Sequence, residues 1–580
     1  MSGAAWFGDS TLTDRYPAWT RGNAADVFPD PFTPLAQAMV LRQGMGRGLR
    51  DAYIGLGVVD WDEIDDPDLP DLFKMFGGYL YNPLTLTRVL GARMPGASPE
   101  MIDKAFFDEG ADVPPYEAQP WHESERHAAK LGATMAWTMS ADALPALDAD
   151  RELARAVRRN RPDLSSLTDA ALLARAHSMV PVLQQTFENA MIVSSMASLG
   201  PGALSAICDA LGDSSMSIQL LAGVEVDSAE PSKAMWHLGR AAAASTAVAT
   251  AFDAGVDGVL DRLASSASPE ATAWLADFHA FLEAYGARAQ NEYDVISLAW
   301  ELQPRIALAA IDLMRRSHAD QDPVARGAAA TATRDHLVAT IRQQLAADPA
   351  TLGTFEAALR SAQLFLAGRE RAKTNAVIVI HEIRMALWTL AQRWAEQGVL
   401  DQPEHLFMLT DVEVARARLE PEGVAALARG RWITYRSLFD REPLFVVNGR
   451  VPSLDEMPLR NAVVAASVVR GDVLKGGAGS GGVATGRARV ILDAADPVGL
   501  EPGEVLIAPQ TDPSWVPLFI PAEAVIVNVG AMGSHAMIVS RELGIPCVVA
   551  VPNATRRIPD GALVQVDGTT GTVTVLELPA

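Results

Sequence analysis

The chain changes character once, near Val473. Before it, segments rich in Ala, Leu, Arg and Glu repeat apolar residues at helical spacing; after it come short β-type runs broken by Gly, Pro and Asp. Such a chain cannot fold as one uniform architecture, because a helical part and a mixed part bury differently patterned faces. Its 580 residues also exceed what one ordinary core organises. Helices are predicted over 153–157, 170–185, 204–221, 233–254, 271–284 and 323–345. Thr168 and Asp169 give one of them a start signal; Gly398 gives another a stop, with Asp401 beyond it. Before about residue 150, many Pro, Gly and Trp residues predict loops and short helices wrapped on the helical body. Residues 475–482 read KGGAGSGG, the composition of a flexible linker. Beyond them strands are predicted at 488–492, 504–508, 524–529 and 546–551, a turn at Asp567-Gly568, and one helix at 535–543. The expected fold class is multidomain: a large, mainly α-helical domain over 1–470, a Gly-rich linker over 471–485, and a small α/β domain over 486–580.

Charge narrows the range of partners. Lys and Arg number 48 against 71 Asp and Glu, a net charge of -23. A chain this acidic repels phosphodiester backbones and anionic lipid, so neither nucleic acid nor membrane is an expected partner. The two cysteines, Cys208 and Cys547, lie far apart without metal-ligand spacing. No metal site is expected, and a reducing, cytoplasmic setting is. The N-terminus lacks the pattern of a secretory signal, and the apolar stretch at 241–252 is too short to span a bilayer.

The segment richest in chemistry is 529–548, VGAMGSHAMIVSRELGIPCV. Gly530 and Gly533 let backbone approach a ligand closely. Ser534 stands where an N-cap belongs, and a helix is predicted to start at His535. A helix N-terminus offers free N–H groups and partial positive charge, which suits a phosphoryl group. There the imidazolium is disfavoured, so His535 can act as a neutral nucleophile. Gly544 and Pro546 then end the helix. A capping or core histidine is the competing reading. Upstream, Thr511, Asp512 and Trp515 in TDPSW either turn the chain or support the phosphate site.

This segment resembles the phosphohistidine swivelling domain of the PEP-utilising enzymes, in which a histidine in a Gly-Gly-x-x-Ser/Thr-His context carries phosphate; Ala531 stands at the second glycine. The likeness runs over 486–576. Its kind is that of the rifampin phosphotransferases and of the aryl phosphate synthases acting on phenol and 4-methylphenol. GNAADVFPDPFTPL (22–35), YGARAQNEYD (285–294), GRERAKTN (368–375) and LDQPEHLFMLT (400–410) resemble, in the same order, the acceptor-binding domain of these enzymes.

In GRERAKTN, Arg369 and Lys373 share with Arg384 an arc of about 60° on one long helix, taking 3.6 residues per turn. Apolar residues surround that helix, so its cations require an anion, and a phosphoryl group in transfer is one. Glu370 beside them either neutralises Arg369 or takes a proton from an acceptor hydroxyl. An internal salt-bridge network is the alternative. His381 on the same helix is a base or a core histidine. Arg288, Asn291, Glu292 and Asp294 match the second motif, where Ala287 replaces the family's histidine.

The resemblance implies a two-component, dikinase-type phosphotransferase. ATP, with Mg2+ or Mn2+, would be held mainly by a separate ATP-grasp-type subunit, and no cofactor would bind this chain tightly. ATP would yield AMP and phosphate, and phospho-His535 would deliver its group to a small phenolic or alcohol hydroxyl. No G-x-x-x-x-G-K-[ST] loop occurs in the sequence. Phosphorylation of an antibiotic or other alcohol, and a non-catalytic phosphocarrier, are the competing functions.

Overall fold

The computed structural model describes residues 6–66, 72–107, 113–417, 420–460, 467–493, 500–512, 515–530 and 534–579. The helices that position the site are α1 (Glu125–Ser140), α2 (Asp169–Met196), α3 (Glu230–Ala244), α4 (Pro269–Tyr285), α5 (Arg305–Arg316), α6 (Pro323–Gln344), α7 (Pro349–Glu396), α8 (Val516–Phe519) and α9 (His535–Leu543). Their starts follow local chemistry. Thr168 Oγ1 accepts the Ala171 N–H at the head of α2, Ser268 does the same for α4, and Asp322 followed by Pro323 opens α6. The helix predicted over 233–254 is two, because Ser245 leaves helical geometry and caps a new helix at Thr246–Asp253. The stretch 204–221 is also broken: a helix over Leu199–Ala210 stops before Gly212, whose φ is 90°. By length and apolarity alone the stretch Asp169–Ala210 could cross a membrane, although the core helix of a helix-rich protein has the same composition.

Eight strands form the C-terminal sheet: β1 (Val473–Lys475), β2 (Gly477–Ser480), β3 (Val483–Val490), β4 (Val505–Ala508), β5 (Ala524–Val527), β6 (Cys547–Val549), β7 (Leu563–Asp567) and β8 (Thr572–Glu577). Their order is β1-β8-β7-β3-β4-β5-β6-β2, with β3 to β6 mutually parallel and the other pairings antiparallel. The expected flexible linker is therefore corrected: 475–482 is not a free segment but lies in β1, β2 and the residues joining them to β3. Its glycines answer to close packing. β1 and β2 sit at opposite ends of the strand order yet are joined by Gly476 alone, so the sheet curls until its edges nearly meet. A Cβ on Gly476 would lie 2.3 Å from the Val549 carbonyl oxygen, and one on Gly479 would lie 2.8 Å from that of Cys547.

Two compact units result. One comprises Met1–Leu199, Asn291–Ser297 and Arg371–Val464; the other comprises Gly200–Gln290, Leu298–Glu370 and Ala465–Ala580. The expected division at 471–485 is thus not the one observed, because helical residues 200–290 and 298–370 cluster with the sheet. The cause is a shared core. Trp236, Phe278 and Ile311 from α3, α4 and α5 pack in one apolar cluster with Phe519, Val525 and Met537. Strand alternation makes this one of two layers: Leu506 and Val525 face the helices, while Val505, Ile507 and Ile526 fill the other side of the sheet.

In the first unit the segment expected to be irregular contains two short antiparallel pairings. Ala18–Thr20 pairs with Val446–Asn448, and Lys74–Phe76 with Tyr79–Tyr81 across Gly77 and Gly78. Both glycines have positive φ, 58° and 79°, as a two-residue hairpin turn requires.

Candidate functional site

β4 and β5 are parallel neighbours, so the loops leaving their C-terminal ends emerge side by side, where sheets of this kind bind ligands. The loops are tied together: Asn528 N donates to Ala508 O at 3.1 Å and Val529 N to Pro509 O at 3.1 Å. The first loop carries Thr511. The second leads into α9 and places His535 at its first position. Gly530 is required, since a Cβ there would lie 2.9 Å from Val549 Cβ. Gly533 lies outside the described residues.

His535 is buried, with 8% of its surface exposed, and Phe519 meets its ring edge-on at 6.0 Å. Thr511, itself buried, has its Oγ1 3.1 Å from His535 Nδ1. When that hydroxyl accepts the Nδ1 proton, the lone pair resides on Nε2, which becomes the nucleophile. Ser534 holds the N-cap position with extended backbone, but its hydroxyl does not cap the helix. It is buried and has no hydrogen-bond partner among the described residues. The first-turn N–H groups of α9 therefore receive no side-chain cap from Ser534. Gly544, φ 65°, ends the helix. Trp515 is buried and fills the core, and its backbone N–H donates to Asp512 O at 2.9 Å.

One turn beyond His535, Ile538 shares an apolar cluster with Val224, Val226 and Ala229, against which Leu366 and Ala367 of α7 pack. Arg369 and Glu370 follow Leu366 by three and four residues, one turn further along α7. The second unit thus joins the histidine helix to the stretch of α7 that enters the GRERAKTN motif. Arg369 is half-buried and Glu370 5% exposed. Arg288, buried in the same unit, has its carbonyl bonded by Trp300 N at 2.9 Å.

In the first unit the motifs meet around the loop Asn291–Ser297. Asp294, fully buried, accepts from both Thr33 N and Thr33 Oγ1 at 2.7 Å; burial raises its pKa, and the Thr33 bonds oppose the rise. Arg384 Nη2 donates to the carbonyls of Glu292 (2.6 Å) and Asp294 (3.1 Å), and Trp388 Nε1 to that of Val295 (3.1 Å). Burial lowers the Arg384 pKa to about 10, with Glu292 and Asp294 opposing. His381 Nδ1 lies 3.3 Å from Arg384 Nη1, and a guanidinium only donates, so that nitrogen is an acceptor. These contacts make Arg384 a brace for the loop, where the sequence pointed to support of a phosphate, and they accord with a core histidine at His381, one of the two readings the sequence offered. Lys373 Nζ sits 3.5 Å from Glu292 Oε2 and 6.0 Å from the centre of the Tyr293 ring. Glu382 on the same helix is held by Arg161 and Arg175, so part of α7 does carry the internal ion pairs that were the alternative reading.

Sequence reading passed over Thr33 and the aromatic group beside Lys373. Phe28 meets Tyr293 at 4.9 Å and Phe73 at 6.4 Å, and Phe73 meets Phe187 at 6.1 Å. The available signal was the position of Phe28 and Thr33 inside the 22–35 motif.

Two segments of the chain match known family models. Residues 178–370 match the rifampicin phosphotransferase fourth domain, and 500–571 the mobile domain of PEP-utilising enzymes. An uncharacterised protein of Mycobacterium tuberculosis is 28% identical over 590 residues, covering 98% of this chain and 63% of that protein. A rifampicin phosphotransferase of Streptomyces sviceus is 31% identical across 56% of this chain and 37% of its own length. An uncharacterised phosphotransferase of Bacillus subtilis is 30% identical across 52% of this chain and 36% of its own. The chain therefore spans less than two thirds of the length of these curated relatives. The resemblance to PEP-utilising phosphotransferases with a mobile histidine domain is confirmed at that level.

Proposed function

We propose that this chain is the histidine-carrying component of an ATP-driven phosphotransferase that phosphorylates a hydroxyl on a small aromatic acceptor. The observation that carries the reading is His535 at the N-terminus of α9, with Nδ1 against Thr511 Oγ1 and no cap from Ser534. In the first half-reaction the Nε2 lone pair attacks the β-phosphorus of ATP, a P–N bond forms and the P–O bond to the leaving AMP breaks; water then cleaves the β–γ P–O bond of the pyrophosphoryl group, which releases phosphate and leaves phospho-His535. The N–H groups of the first turn favour the dianion so formed. In the second, the acceptor oxygen attacks phosphorus, the P–N bond breaks, and the hydroxyl proton passes to a carboxylate, Glu370 or Glu292. Lys373 and Arg369 supply positive charge for the phosphoryl oxygens.

The aromatic preference rests on Tyr293 beside Lys373, with Phe28 against it and Phe73 and Phe187 continuing the run of ring contacts. A phenol is the acceptor we favour. A larger antibiotic hydroxyl is the second reading, supported by the name of the matching domain family and by that of one relative, a rifampicin phosphotransferase. The nucleotide, with its divalent cation, is brought by an ATP-grasp-type partner polypeptide in this scheme. The deciding experiment is incubation with labelled ATP, that partner and a panel of phenols. Acid-labile label on the wild-type chain, absent from His535→Ala and chased onto a phenol, is the expected result. Label that persists in His535→Ala removes His535 from the pathway, and label that chases only to protein leaves a phosphocarrier.

A further inference from the structure

We propose that Asp60, Glu63 and His127 in the first unit bind a divalent first-row transition metal of the zinc type, a site unrelated to the histidine chemistry above. The three side chains each offer one donor atom, all within 4.8 Å of one another. His127 Nε2 lies 3.3 Å from Asp60 Oδ2 and 3.7 Å from Glu63 Oε2. Donors bound tetrahedrally at about 2.0–2.1 Å are separated by about 3.3–3.4 Å, so these spacings suit one small ion with modest closure. Nothing in the sequence led to the expectation of a metal site here. Sixty-odd residues separate the histidine from the carboxylates, and no spacing motif announces it.

A second observation points into the cluster. The His127 side chain is 6% exposed, yet its Nε2 makes no hydrogen bond among the described residues. Its Nδ1 is 2.7 Å from Ser124 Oγ. When Nδ1–H donates there, Nε2 turns a lone pair toward two carboxylates, an arrangement that a cation resolves and that is usual behind metal-bound imidazole. Burial, aided by Arg93 and opposed by Glu63, lowers the His127 pKa.

The surroundings both support and compete. Arg93 forks onto Glu63, Nη1 to Oε2 at 2.9 Å and Nη2 to Oε1 at 2.5 Å, and fixes that carboxylate. Asp60 N also donates to Glu63 Oε2 at 2.9 Å. Arg126 contacts Asp60 Oδ2, but its side chain is 73% exposed and free to swing aside. A metal here ties the short helix Trp61–Glu63 to α1.

The test uses the full chain, stripped by chelator and titrated with Co2+, then with Zn2+. One equivalent of Co2+ should give the intense visible absorption of a site of low coordination number, and Zn2+ should abolish it. Asp60→Asn preserves an N-cap side chain and should weaken Co2+ binding at least tenfold without unfolding. His127→Ala should remove the band, and Arg126→Ala should tighten binding several-fold by removing the competing cation. No band in the wild type, or one unchanged in Asp60→Asn and His127→Ala, overturns the proposal and leaves an ion-pair cluster closed by the two arginines.

Discussion

Thr511 separates the orientation of His535 from its presence. Thr511→Val keeps the shape of the side chain but removes the oxygen facing Nδ1. Phosphorylation of His535 should then slow about ten- to a hundredfold, as misplacement of a reacting group typically costs. Circular dichroism and melting should stay near the wild type. A rate unchanged in this variant would mean that the helix and its packing alone orient the ring. A second contrast lies on α7. Arg384 holds two loop carbonyls and is fully buried, whereas Lys373 is about a fifth exposed beside Glu292. Arg384→Met should therefore lower stability by roughly 3 kcal/mol, since it leaves buried acceptors unpaired, and should depress every activity together. Lys373→Met should melt below the wild type but less so than Arg384→Met, because it takes an ion partner from buried Glu292, and it should still permit labelling of His535 while slowing transfer to the acceptor about a hundredfold. Equal loss of both half-reactions in Lys373→Met would assign Lys373 to the scaffold.

At the scale of elements, Gly476 distinguishes a strand corner from a tether. A flexible linker tolerates substitution, but here a Cβ meets the Val549 carbonyl at 2.3 Å. Gly476→Val should open the sheet and expose β2 and β6 to protease, whereas Gly449→Val, with open space around it but φ 69°, should cost only local strain. Equal protease resistance of Gly476→Val and wild type would return the segment to the linker reading. The KGGAGSGG composition misled because flexibility and close approach both select glycine, and only the partner strand distinguishes them. The helix at 535–543, its Gly544 stop and the strands near 505–508 and 524–527 were legible, since each follows from local pattern and capping. The hydrogen bond between Thr511 and His535 was not, because it depends on β4 and β5 being neighbours. Nor was the role of Arg384: the sequence shows a buried cation needing a partner, but not that backbone carbonyls at 292 and 294 supply it.

At the scale of the whole molecule, the functional reading requires the C-terminal domain to leave its seat on α3 to α6, so the groups buried at that seat set the cost of release. Glu542, near the end of α9, is 4% exposed there, with Lys233 Nζ at 3.3 Å. Lys233 is shared with Glu230 at 2.9 Å, and Glu225 adds further negative charge, so Glu542 is only partly neutralised. Burial pushes its pKa up to about 8 from 4.5. A carboxyl raised in the folded state binds a proton that the unfolded chain releases, so its favourable contribution is complete below about pH 4.5 and is lost as pH rises through about 8. At about 1.4 kcal/mol per pKa unit the loss amounts to a few kcal/mol. Glu542→Gln imitates the protonated form at every pH. Its melting temperature should match the wild type near pH 5 and exceed it increasingly toward pH 9. Protease cleavage within the C-terminal domain should slow over the same range. If Glu542→Gln instead melts lower than the wild type by the same margin at pH 5 and pH 9, the Lys233–Glu542 pair is ionised and stabilising throughout, and release of the domain does not depend on this proton.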